Sequence, residues 1–358
     1  MLDGSEFARQ HVAELLGRPE LGEPPDVAAR WLAGRRVCIT GAGGSVGRPL
    51  AAAIAGAGPA RLVLVDHHEA SLWELHRRFA DYGEIVSLLP ADIRDRSRMC
   101  ELLRRWQPEV VFHLAAYKHV PFGEAFPDEA FRVNVLGTLA LLELAGAIGV
   151  ERFVYPSSDK ACKPPSLYGA TKRIGEALVR RAARQTGLGY NVARFVNILG
   201  TQGSVIETFA QQVREGVPLT VTHPAMTRYW IGMNEALWLL LTGGGLPVGE
   251  QTLMLDAQQE IAVVEMARRV YRLLRGEGGT CQMAYGTPRP GERLREELLS
   301  ANERFEPGPR AGLLRVIDAR ADDHLEGLGP RVGQLAALCS GETARLREAA
   351  MAAARELQ

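Results

Sequence analysis

The sequence predicts an α/β protein built on a doubly wound parallel sheet, followed by a smaller domain. Short apolar strands alternate with helical segments from residue 35 to residue 200, and such alternation is typical of crossover connections between parallel strands. The strands lack an alternation of apolar and polar residues, as expected when helices cover both faces of a sheet. Beyond residue 200 the pattern loosens into short segments rich in Pro and Gly, which indicates a second, smaller domain.

Six strands and five helices are predicted in the alternating region. The strands are residues 35–40, 61–66, 84–93 with its loop, 109–116, 151–158 and 189–200. The helices are residues 49–58, 69–83, 96–107, 128–149 and 166–187. Pro108 ends the third helix, and Gly137 marks a point where the fourth could kink.

The chain divides into four predicted parts. They are a polar lead-in at 1–34 with one short helix at 11–16, a sheet domain at 35–200, a mainly substrate-binding domain at 201–330 that could add strands to the sheet, and a C-terminal helical tail at 331–358. The tail is rich in Ala, Arg, Glu and Leu, so we expect one closing helix or a pair.

Composition excludes several function classes. Lys plus Arg and Asp plus Glu each number 42, so the broad basic face of a nucleic-acid-binding protein is not expected. The five cysteines are scattered and odd in number, which favours reduced thiols over disulfides or a metal site. No apolar run approaches the roughly 20 residues of a membrane span, and the N-terminus lacks a signal-peptide pattern. We therefore expect a soluble, cytoplasmic protein without a metal.

A glycine-rich loop joins the first strand to the first helix. Gly41 permits a tight turn, Gly44 lets the backbone approach a pyrophosphate, and Gly47 lets helix and strand pack closely. The helix N-terminus then faces the phosphates. This order of strand, glycines and helix predicts a Rossmann-type dinucleotide site, and a glycine-rich turn that binds nothing is the alternative.

Two carboxylates follow at the ends of the next strands. Asp66 lies about 20 residues beyond the loop, where a carboxylate accepts hydrogen bonds from the adenosine ribose. It favours NAD over NADP because it repels a 2′-phosphate, although it could instead cap the helix that follows. Asp92 could bind the adenine amino group or could be a loop carboxylate without a ligand.

A second cluster of reactive side chains follows the fifth strand. Tyr168 and Lys172 are four residues apart at the start of a helix, so they share one face. A nearby ammonium favours the phenolate, which makes Tyr168 a workable base for a sugar hydroxyl. Ser158, Asp159 and Lys160 end the preceding strand, so a hydroxyl, an acid and a base converge on one edge of the sheet. The alternative for Asp159 and Lys160 is a solvated surface ion pair.

The sequence at this point resembles the extended short-chain dehydrogenases/reductases, and within them the UDP-N-acetylglucosamine 4,6-dehydratases of polysaccharide biosynthesis. The matching motifs run from about residue 35 to residue 300. They are ITGAGGSVG, FHLAAYKHVP, NVLGT, SSDKACKPPSLYGATKR, RFVNILGTQGSV, VTHPAMTRYW and PRPGERLREELL. The lead-in ELLGRPE is similar to the segment that precedes the same domain in long, membrane-anchored members, whose anchor we do not expect here.

The resemblance implies a mechanism and a tightly bound NAD that each turnover regenerates. Tyr168 removes the C4 hydroxyl proton of a UDP-sugar while NAD takes the C4 hydride, and Ser158 hydrogen-bonds that oxygen. Lys160 then removes the C5 proton, and a protonated Asp159 donates to the departing C6 hydroxyl. Return of the hydride to C6 gives a 4-keto-6-deoxy sugar.

The resemblance also implies the binding residues. Those for the cofactor are Gly41, Gly43, Gly44, Ser45, Val46, Gly47, Asp66, Asp92, Ile93, Ala115, Ala116, Tyr168 and Lys172. Those for the UDP-sugar are Lys118, His119, Asn134, Asn197, Gly203, Ser204, Val205, Arg228, Arg289 and Glu292, with both arginines on the diphosphate. His119 could equally be a packing residue, and Arg228 could be a surface ion-pair residue. The relatives also lead us to expect a homo-oligomer.

Some positions depart from the family pattern. Ser158 replaces a more usual threonine, Arg48 and Pro49 follow the glycine loop where a small or acidic residue is common, and residues 231–234 differ after Arg228. Long members carry methionine where this chain has Tyr168. Three alternatives therefore stay open: a dehydratase that stops at a 5,6-ene, a UDP-sugar 4-epimerase, and a catalytically silent NAD-sensing module.

Overall fold

The computed structural model describes residues 4–256, 259–276, 279–320, 325 and 327–358. The predicted lead-in and the predicted C-terminal domain each include a few residues outside these ranges. The strands of the described part are β1 (Arg36–Thr40), β2 (Arg61–Asp66), β3 (Val86–Pro90), β4 (Val110–His113), β5 (Arg152–Ser158), β6 (Gly189–Phe195), β7 (Asn197–Ile198), β8 (Leu219–Val221), β9 (Thr227–Ile231), β10 (Thr252–Leu255), β11 (Glu260–Ala262), β12 (Met283–Tyr285), β13 (Glu303–Pro307) and β14 (Leu313–Asp318).

The helices alternate with these strands in the first half of the chain. They are α1 (Gly4–Gln10), α2 (Val12–Leu16), α3 (Pro25–Ala28), α4 (Gly47–Gly56), α5 (Glu69–Arg78), α6 (Arg96–Trp106), α7 (Val120–Ala125), α8 (Pro127–Phe131), α9 (Thr138–Ile148), α10 (Leu167–Thr186), α11 (Val205–Glu215), α12 (Met233–Gly245), α13 (Val263–Arg275), α14 (Leu328–Ala337) and α15 (Thr343–Glu356). Short 3-10 turns at Arg30–Leu32, Ala80–Ile85, Asp159–Ala161 and Leu338–Ser340 complete them.

The large sheet of the described part has the order β3-β2-β1-β4-β5-β6-β10-β14-β13. The strands from β3 to β10 run parallel, and β14 and β13 add an antiparallel edge. In chain order, β1, β2 and β3 extend the sheet in one direction. The later strands then extend it from the other side of β1, beginning with β4 and ending at the edge strand β13. The predicted doubly wound, Rossmann-type fold is therefore confirmed, and the crevice between β1 and β4 is where such sheets bind ligands.

Two hydrophobic clusters cover the two faces of this sheet. Successive residues of β1 alternate between them, since Val37 and Ile39 lie in one cluster and Cys38 in the other. Helices α6, α9, α10 and α15 lie on the Cys38 side, and α3, α4, α5 and α12 lie on the opposite side. Burial on both faces explains why the strands read as continuous apolar runs.

Two predicted elements differ in detail from those observed. The sixth predicted strand, 189–200, breaks at Val196, and Asn197–Ile198 form β7, which pairs with β9 in a small separate sheet. The predicted helix at 128–149 consists of α8, a π-helical turn at Arg132–Gly137 and α9. Gly137 ends the π turn, and a Cβ there would lie only 2.8 Å from Ile93 Cδ1, so close packing explains the glycine.

The lead-in is more structured than its polar composition suggests. Phe7 of α1 and Leu15 of α2 are buried in a third hydrophobic cluster with Phe209 of α11 and Ala267 of α13. Arg18 forms an ion pair of 2.6 Å with the buried Glu235 of α12. The lead-in therefore packs both on the smaller layer that follows residue 200 and on the large sheet's helices.

Within the described residues, one helical segment meets the length and composition of a membrane span, which the sequence was not expected to contain. It runs from Pro127 to Ile148, with a mean hydropathy of 1.5, and half of its most apolar window is buried in the fold. Its apolar residues Leu141, Leu142 and Leu144 lie in the cluster that α10 and the sheet share. Packing within the sheet layer thus accounts for the apolar character of this segment.

Candidate active site

Close contacts with neighbouring backbone atoms require glycine in the loop between β1 and α4. Gly41 has a φ of 69°, and a Cβ there would lie 2.6 Å from the nitrogen of Ala115. A Cβ at Gly47 would lie 2.3 Å from the carbonyl oxygen of Gly41. At Gly44 the only atom within 4 Å of an added Cβ would be that same oxygen, at 3.2 Å, so this glycine presents an approachable backbone. These three environments match the three roles that the sequence predicts.

Asp66, at the end of β2, shapes this loop directly. Its Oδ2 accepts a hydrogen bond of 2.9 Å from the backbone N–H of Gly43, and its Oδ1 accepts one of 2.9 Å from His68. The helix α5 begins after His68, so Asp66 is not its N-cap. Arg48 holds the other side of the loop by donating from Nε to the Gly43 carbonyl at 2.6 Å.

A cleft of about 270 Å³ opens beside the loop at the carboxyl ends of β2, β3 and β4. Its walls include the glycine loop, Asp66, Ile93, Ala115, Ala116 and Gln202. A cleft with small and apolar walls, one carboxylate at the ribose position and glycine backbone at a helix N-terminus suits the adenosine half of a dinucleotide. The described residues therefore fit NAD.

Asp92 also borders this cleft, but its carboxylate is already engaged. Arg94 donates to it from Nε at 2.9 Å and from a terminal nitrogen at 2.7 Å. These hydrogen bonds lower the pKa of Asp92. The arrangement favours a loop carboxylate over a ligand of adenine.

Ser158, Asp159 and Lys160 form a compact cluster where β5 ends. Asp159 Oδ1 accepts hydrogen bonds from Ser158 Oγ at 2.9 Å and from Lys160 Nζ at 3.1 Å. Asp159 is fully buried, so the reading as a solvated surface pair is wrong. In the described part of the chain, the second oxygen, Asp159 Oδ2, is buried and has no hydrogen-bond partner.

Tyr168 and Lys172 lie on α10, whose N-terminus Ser166 caps by accepting from Gly169. Lys172 Nζ donates to the Pro156 carbonyl at 2.8 Å and lies 4.6 Å from the centre of the Tyr155 ring. The side chains of β5 and α10 thus meet at the crevice that the sheet order creates.

The pKa values of Tyr168 and Lys172 differ from those expected of a tyrosine activated by a neighbouring lysine ammonium. Burial raises the pKa of Tyr168, and the opposing effects of Lys160 and a hydrogen bond with Ser158 do not cancel it. Burial lowers the pKa of Lys172 to about 7. The ammonium that favours a Tyr168 phenolate is therefore Lys160 rather than Lys172.

The predicted substrate residues near β4 meet those that follow β7. Lys118 Nζ donates to the Gln202 carbonyl at 2.7 Å, and His119 packs on Gly203, where a Cβ would lie 2.7 Å from His119 Cε1. Gln202 donates from its backbone to Ser45 Oγ at 3.0 Å, which brings the glycine loop to the same place. The loops predicted to hold cofactor and substrate are therefore in contact.

Asn134 joins the loop after β4 to α10. Its side chain accepts from the Tyr117 N–H at 2.8 Å and donates to the Tyr117 carbonyl and to Thr171 Oγ1, each at 3.0 Å. Asn134 thus positions two walls of the crevice from a buried site in the π turn.

The remaining predicted substrate residues lie on the smaller layer. Asn197 donates to the Tyr229 carbonyl at 3.0 Å, Ser204 is the N-cap of α11, and Val205 is the first residue of that helix. Arg289 is exposed, and its backbone N–H donates to Glu292 at 3.1 Å. Among the contacts described for these residues, Arg228 reaches the Ser158–Lys160 cluster, through a carboxylate that the sequence analysis did not single out.

That carboxylate belongs to Glu296. Its Oε1 lies 3.4 Å from Lys160 Nζ and 3.6 Å from Arg228 Nε, and its side chain is only 4% exposed. Burial disfavours the charged form of Lys160, but Asp159 and Glu296 outweigh burial and raise the pKa of Lys160. Glu296 thus joins the cluster of Asp159 and Lys160 although it lies far along the chain.

Residues 37–316 match the family described as polysaccharide biosynthesis protein. The chain belongs to this family. Its members are extended short-chain dehydrogenases/reductases, so the resemblance seen in the sequence is confirmed. The match begins in β1 and ends in β14, and it therefore spans the whole large sheet.

Curated members of the polysaccharide biosynthesis protein family are similar over most of this chain. The capsular polysaccharide biosynthesis protein CapD of Staphylococcus aureus is 36% identical over 306 residues, which cover 84% of this chain and 51% of that protein. The probable polysaccharide biosynthesis protein EpsC of Bacillus subtilis is 37% identical over 85% of this chain and 52% of its own length. The chain thus spans about half the length of these two relatives. A UDP-N-acetylglucosamine 4,6-dehydratase (inverting) of Campylobacter jejuni is 30% identical over 58% of this chain and 63% of that enzyme.

Solved structures share the fold. Pen from Bacillus thuringiensis superposes with a TM-score of 0.74 at 26% identity, over 81% of this chain and 91% of that chain. A dTDP-glucose 4,6-dehydratase of Streptomyces venezuelae, solved with NAD, superposes with a TM-score of 0.63 at 23% identity, over 74% of this chain and 88% of that chain.

Proposed function

We propose that this protein is a nucleotide-sugar dehydratase that converts a UDP-hexose, in particular UDP-N-acetylglucosamine, into a 4-keto-6-deoxy sugar nucleotide. The observation that carries the proposal is the buried Asp159 Oδ2, which has no partner among the described residues, beside the amine of Lys160. A buried polar atom without a partner is costly, so a ligand hydroxyl is the natural group to satisfy it. The dehydratase names of several relatives point to the same chemistry.

The glycine loop, Asp66 and the cleft beside them would hold NAD, and Tyr168 and Lys172 would meet its nicotinamide ribose. The chemistry that NAD supplies when bound is acceptance of a hydride from sugar C4 and its return to C6. Because the two transfers cancel, the cofactor can stay in place between turnovers. The hydrogen bond from Gly43 to Asp66 leaves a carboxylate facing the cleft, which favours NAD over NADP.

The side chains of the chain move the protons. Tyr168 takes the proton of the C4 hydroxyl, and Ser158 hydrogen-bonds the same oxygen. The C4 ketone acidifies C5, and the neutral amine of Lys160 removes the C5 proton. Asp159, protonated on Oδ2, gives its proton to the C6 hydroxyl, which leaves as water. C5 regains a proton when the hydride reaches C6, and the proton that Tyr168 took from the C4 hydroxyl balances this step.

A UDP-sugar 4-epimerase is the second candidate, because epimerases occur among the relatives. The UDP-glucose 4-epimerase of Rickettsia akari is 30% identical over 64% of this chain and 67% of that enzyme. An epimerase needs a base and a hydride acceptor but no acid to expel a hydroxyl. Burial of Asp159 against Lys160 therefore favours the dehydratase.

The test is incubation with UDP-N-acetylglucosamine, with the product followed by mass spectrometry and NMR. Loss of water with a new 6-methyl signal supports the proposal, and loss of water with a vinylic signal indicates a 5,6-ene product. An unchanged mass with a new anomeric pattern indicates an epimerase. No change with any UDP- or dTDP-sugar would leave the silent NAD-sensing module as the function.

The variant Asp159→Asn tests the acid directly. An amide cannot donate the proton, so we expect water loss to slow by about 10²–10⁴-fold while NAD binding is retained. Asp92→Asn is the matched control, because its carboxylate lies in the cleft beside the glycine loop and pairs with Arg94 rather than with Lys160. Water loss at the wild-type rate in Asp159→Asn would show that another group is the acid.

A further inference from the structure

The chain uses lysine at only four positions. Lys118, Lys160, Lys163 and Lys172 are the four, whereas the other 38 of its 42 cationic residues are arginine. All four lie between β4 and the first turns of α10, around the candidate active site. Arginine keeps its proton at any accessible pH, whereas lysine can release it. The side chains that can change between ammonium and amine therefore lie where the proposed chemistry needs proton transfer.

Lys160 differs from the other three because it lies between two buried carboxylates. Asp159 Oδ1 is 3.1 Å from its nitrogen on one side and Glu296 Oε1 is 3.4 Å from it on the other. Glu296 is in turn 3.6 Å from Arg228 Nε. Arg228 is fixed by donating to the carbonyls of Thr227 at 2.7 Å and of Leu294 at 3.3 Å.

The segment that carries Glu296 is fastened to the loop that carries Lys160. Arg293 donates to the Lys163 carbonyl, and Lys163 pairs with Glu297. Cys162 Sγ donates to the Leu298 carbonyl at 3.2 Å. Contacts on both sides of residue 296 therefore fix its distance from Lys160.

The proposed elimination determines which of Lys160 and Asp159 must hold their shared proton before each turnover. Removal of the C5 proton makes Lys160 an ammonium, and loss of water makes Asp159 a carboxylate. That product state is the ion pair that the structure contains. Return of the hydride to C6 leaves C5 in need of one proton, and the proton that Tyr168 took from the C4 hydroxyl fills that place. The next elimination then requires one proton to pass from Lys160 Nζ to Asp159, which restores the amine and the acid.

We propose that Glu296 is a positioning residue for Lys160: its buried carboxylate, anchored by Arg228, holds the Lys160 nitrogen against Asp159 and determines where their shared proton resides. This inference rests on the dehydratase function proposed above. Glu296 favours the ammonium, and Arg228 weakens that preference because its charge offsets the carboxylate. The other charged or titratable groups facing Lys160 are Asp159 and Tyr168.

The test is NMR titration of the protein labelled with ¹³C-lysine, in which only four side-chain signals are expected. Lys160→Arg identifies the Lys160 signal by its loss. In the wild type we expect that signal to remain that of an ammonium through the alkaline range in which the protein stays folded. In Glu296→Gln we expect it to titrate at a pH lower by about 1–3 units, the effect of one close opposite charge.

Glu297→Gln is the matched control. It removes the charge of an adjacent carboxylate that pairs with Lys163 rather than Lys160. The hydrogen bonds of Arg293 and Cys162 to backbone carbonyls still fasten the segment, so the Lys160 signal should titrate as in the wild type. Glu296→Asp keeps the charge and should restore most of the wild-type titration, which separates a charge effect from a loss of folding. Equal Lys160 titration in Glu296→Gln and the wild type would overturn the inference, and so would an equal shift in Glu297→Gln.

The same variants are assayed for water loss from the sugar nucleotide. We expect the alkaline limb of the rate profile to move to lower pH in Glu296→Gln and to stay in place in Glu297→Gln. An unmoved limb in Glu296→Gln would overturn the role of Glu296. Absence of water loss in the wild type would instead contradict the proposed function, and the NMR titration would still decide whether Glu296 controls the Lys160 proton.

Discussion

Substitution of Glu303 by glutamine is expected to destabilise the protein strongly. Glu303 begins β13 and accepts hydrogen bonds from Arg173 at 2.5 Å and from Arg194 at 2.9 and 3.0 Å. Its side chain and those of both arginines are about 1% exposed. These residues belong to a network with three positive and three negative side chains. Its members are Arg173, Glu176, Arg180, Arg194, Glu303 and Asp318.

The expected loss of unfolding free energy follows from the positive charge that Glu303→Gln leaves unpaired. Glu303→Gln preserves the shape of the side chain but leaves the buried network with an excess positive charge. Removing one partner of a buried ion pair typically costs about 3–5 kcal/mol of unfolding free energy, because the other charge cannot reach water. We expect a loss in this range, measured by urea unfolding at pH 7.

Glu306→Gln is the matched control on the same strand. Glu306 is 34% exposed and pairs with Arg304 at 2.7 Å and Arg315 at 3.7 Å, so its removal should cost less than about 1 kcal/mol. If Glu303→Gln costs no more than Glu306→Gln, the buried network does not hold the fold together as argued.

The pH dependence gives an independent check. Burial would raise the pKa of Glu303, but Arg194 and Arg173 outweigh burial and lower it well below its usual range. An unfolded glutamate titrates near 4.3, so the stabilisation is complete above that pH and is lost as the pH falls toward the folded value. The difference in stability between wild type and Glu303→Gln should therefore shrink in acid, and a constant difference would contradict the assignment.

Three further predictions test the cofactor loop, the buried lysine and the catalytic helix. Gly47→Ala is expected to abolish NAD binding measured by calorimetry, because its Cβ would lie 2.3 Å from a loop carbonyl, whereas Gly56→Ala on the same helix meets nothing within 4 Å and should bind normally. Burial lowers the pKa of Lys172 to about 7, whereas an unfolded lysine titrates near 10.4. Between these two pH values the unfolded chain binds more protons than the folded one, so the stability of the wild type rises with pH there. Lys172→Met should remove that rise in urea unfolding at pH 7 and pH 9. Glu124 accepts a hydrogen bond of 2.7 Å from the first N–H of α10, so Glu124→Ala should lower the free energy of urea unfolding by about 1–2 kcal/mol. The control Arg347→Ala removes only the partly exposed ion pair between Arg347 and Glu124 and should cost less than about 1 kcal/mol.

Six strands of the large sheet could be predicted from the sequence because they are apolar on both faces and each is followed by a clear turn, whereas β10, β13 and β14 could be expected only as possible additions from 201–330. The glycine loop was equally clear, since Gly41 and Gly47 lie where any Cβ would clash. The break at Val196 could not be predicted, because residues 189–198 are continuous in sequence pattern. Only the partner strand β9, more than 25 residues further on, draws β7 out of the large sheet.

Glu296 escaped prediction for a related reason. Glu296 and Glu297 are adjacent and chemically identical, and the segment that contains them has no regular secondary structure. Helical or strand periodicity therefore cannot indicate which of the two is buried. Tertiary contacts alone distinguish them: Glu297 pairs with Lys163 and Arg293, whereas Glu296 lies 3.4 Å from Lys160.

The buried network also explains how residues outside the crevice support the reaction centre. Lys172 and Arg173 are neighbours on α10, and the first faces β5 while the second reaches Glu303 and the carbonyl of Leu357. The helix is thus held from its far side by the hairpin of β13 and β14 and by the C-terminal helix. The family match extends through residue 316 in β14, so it includes Arg173 and Glu303 but not the C-terminal helix. A substitution at Glu303 should accordingly loosen α10 as a unit, and Tyr168 and Lys172 would lose their alignment together.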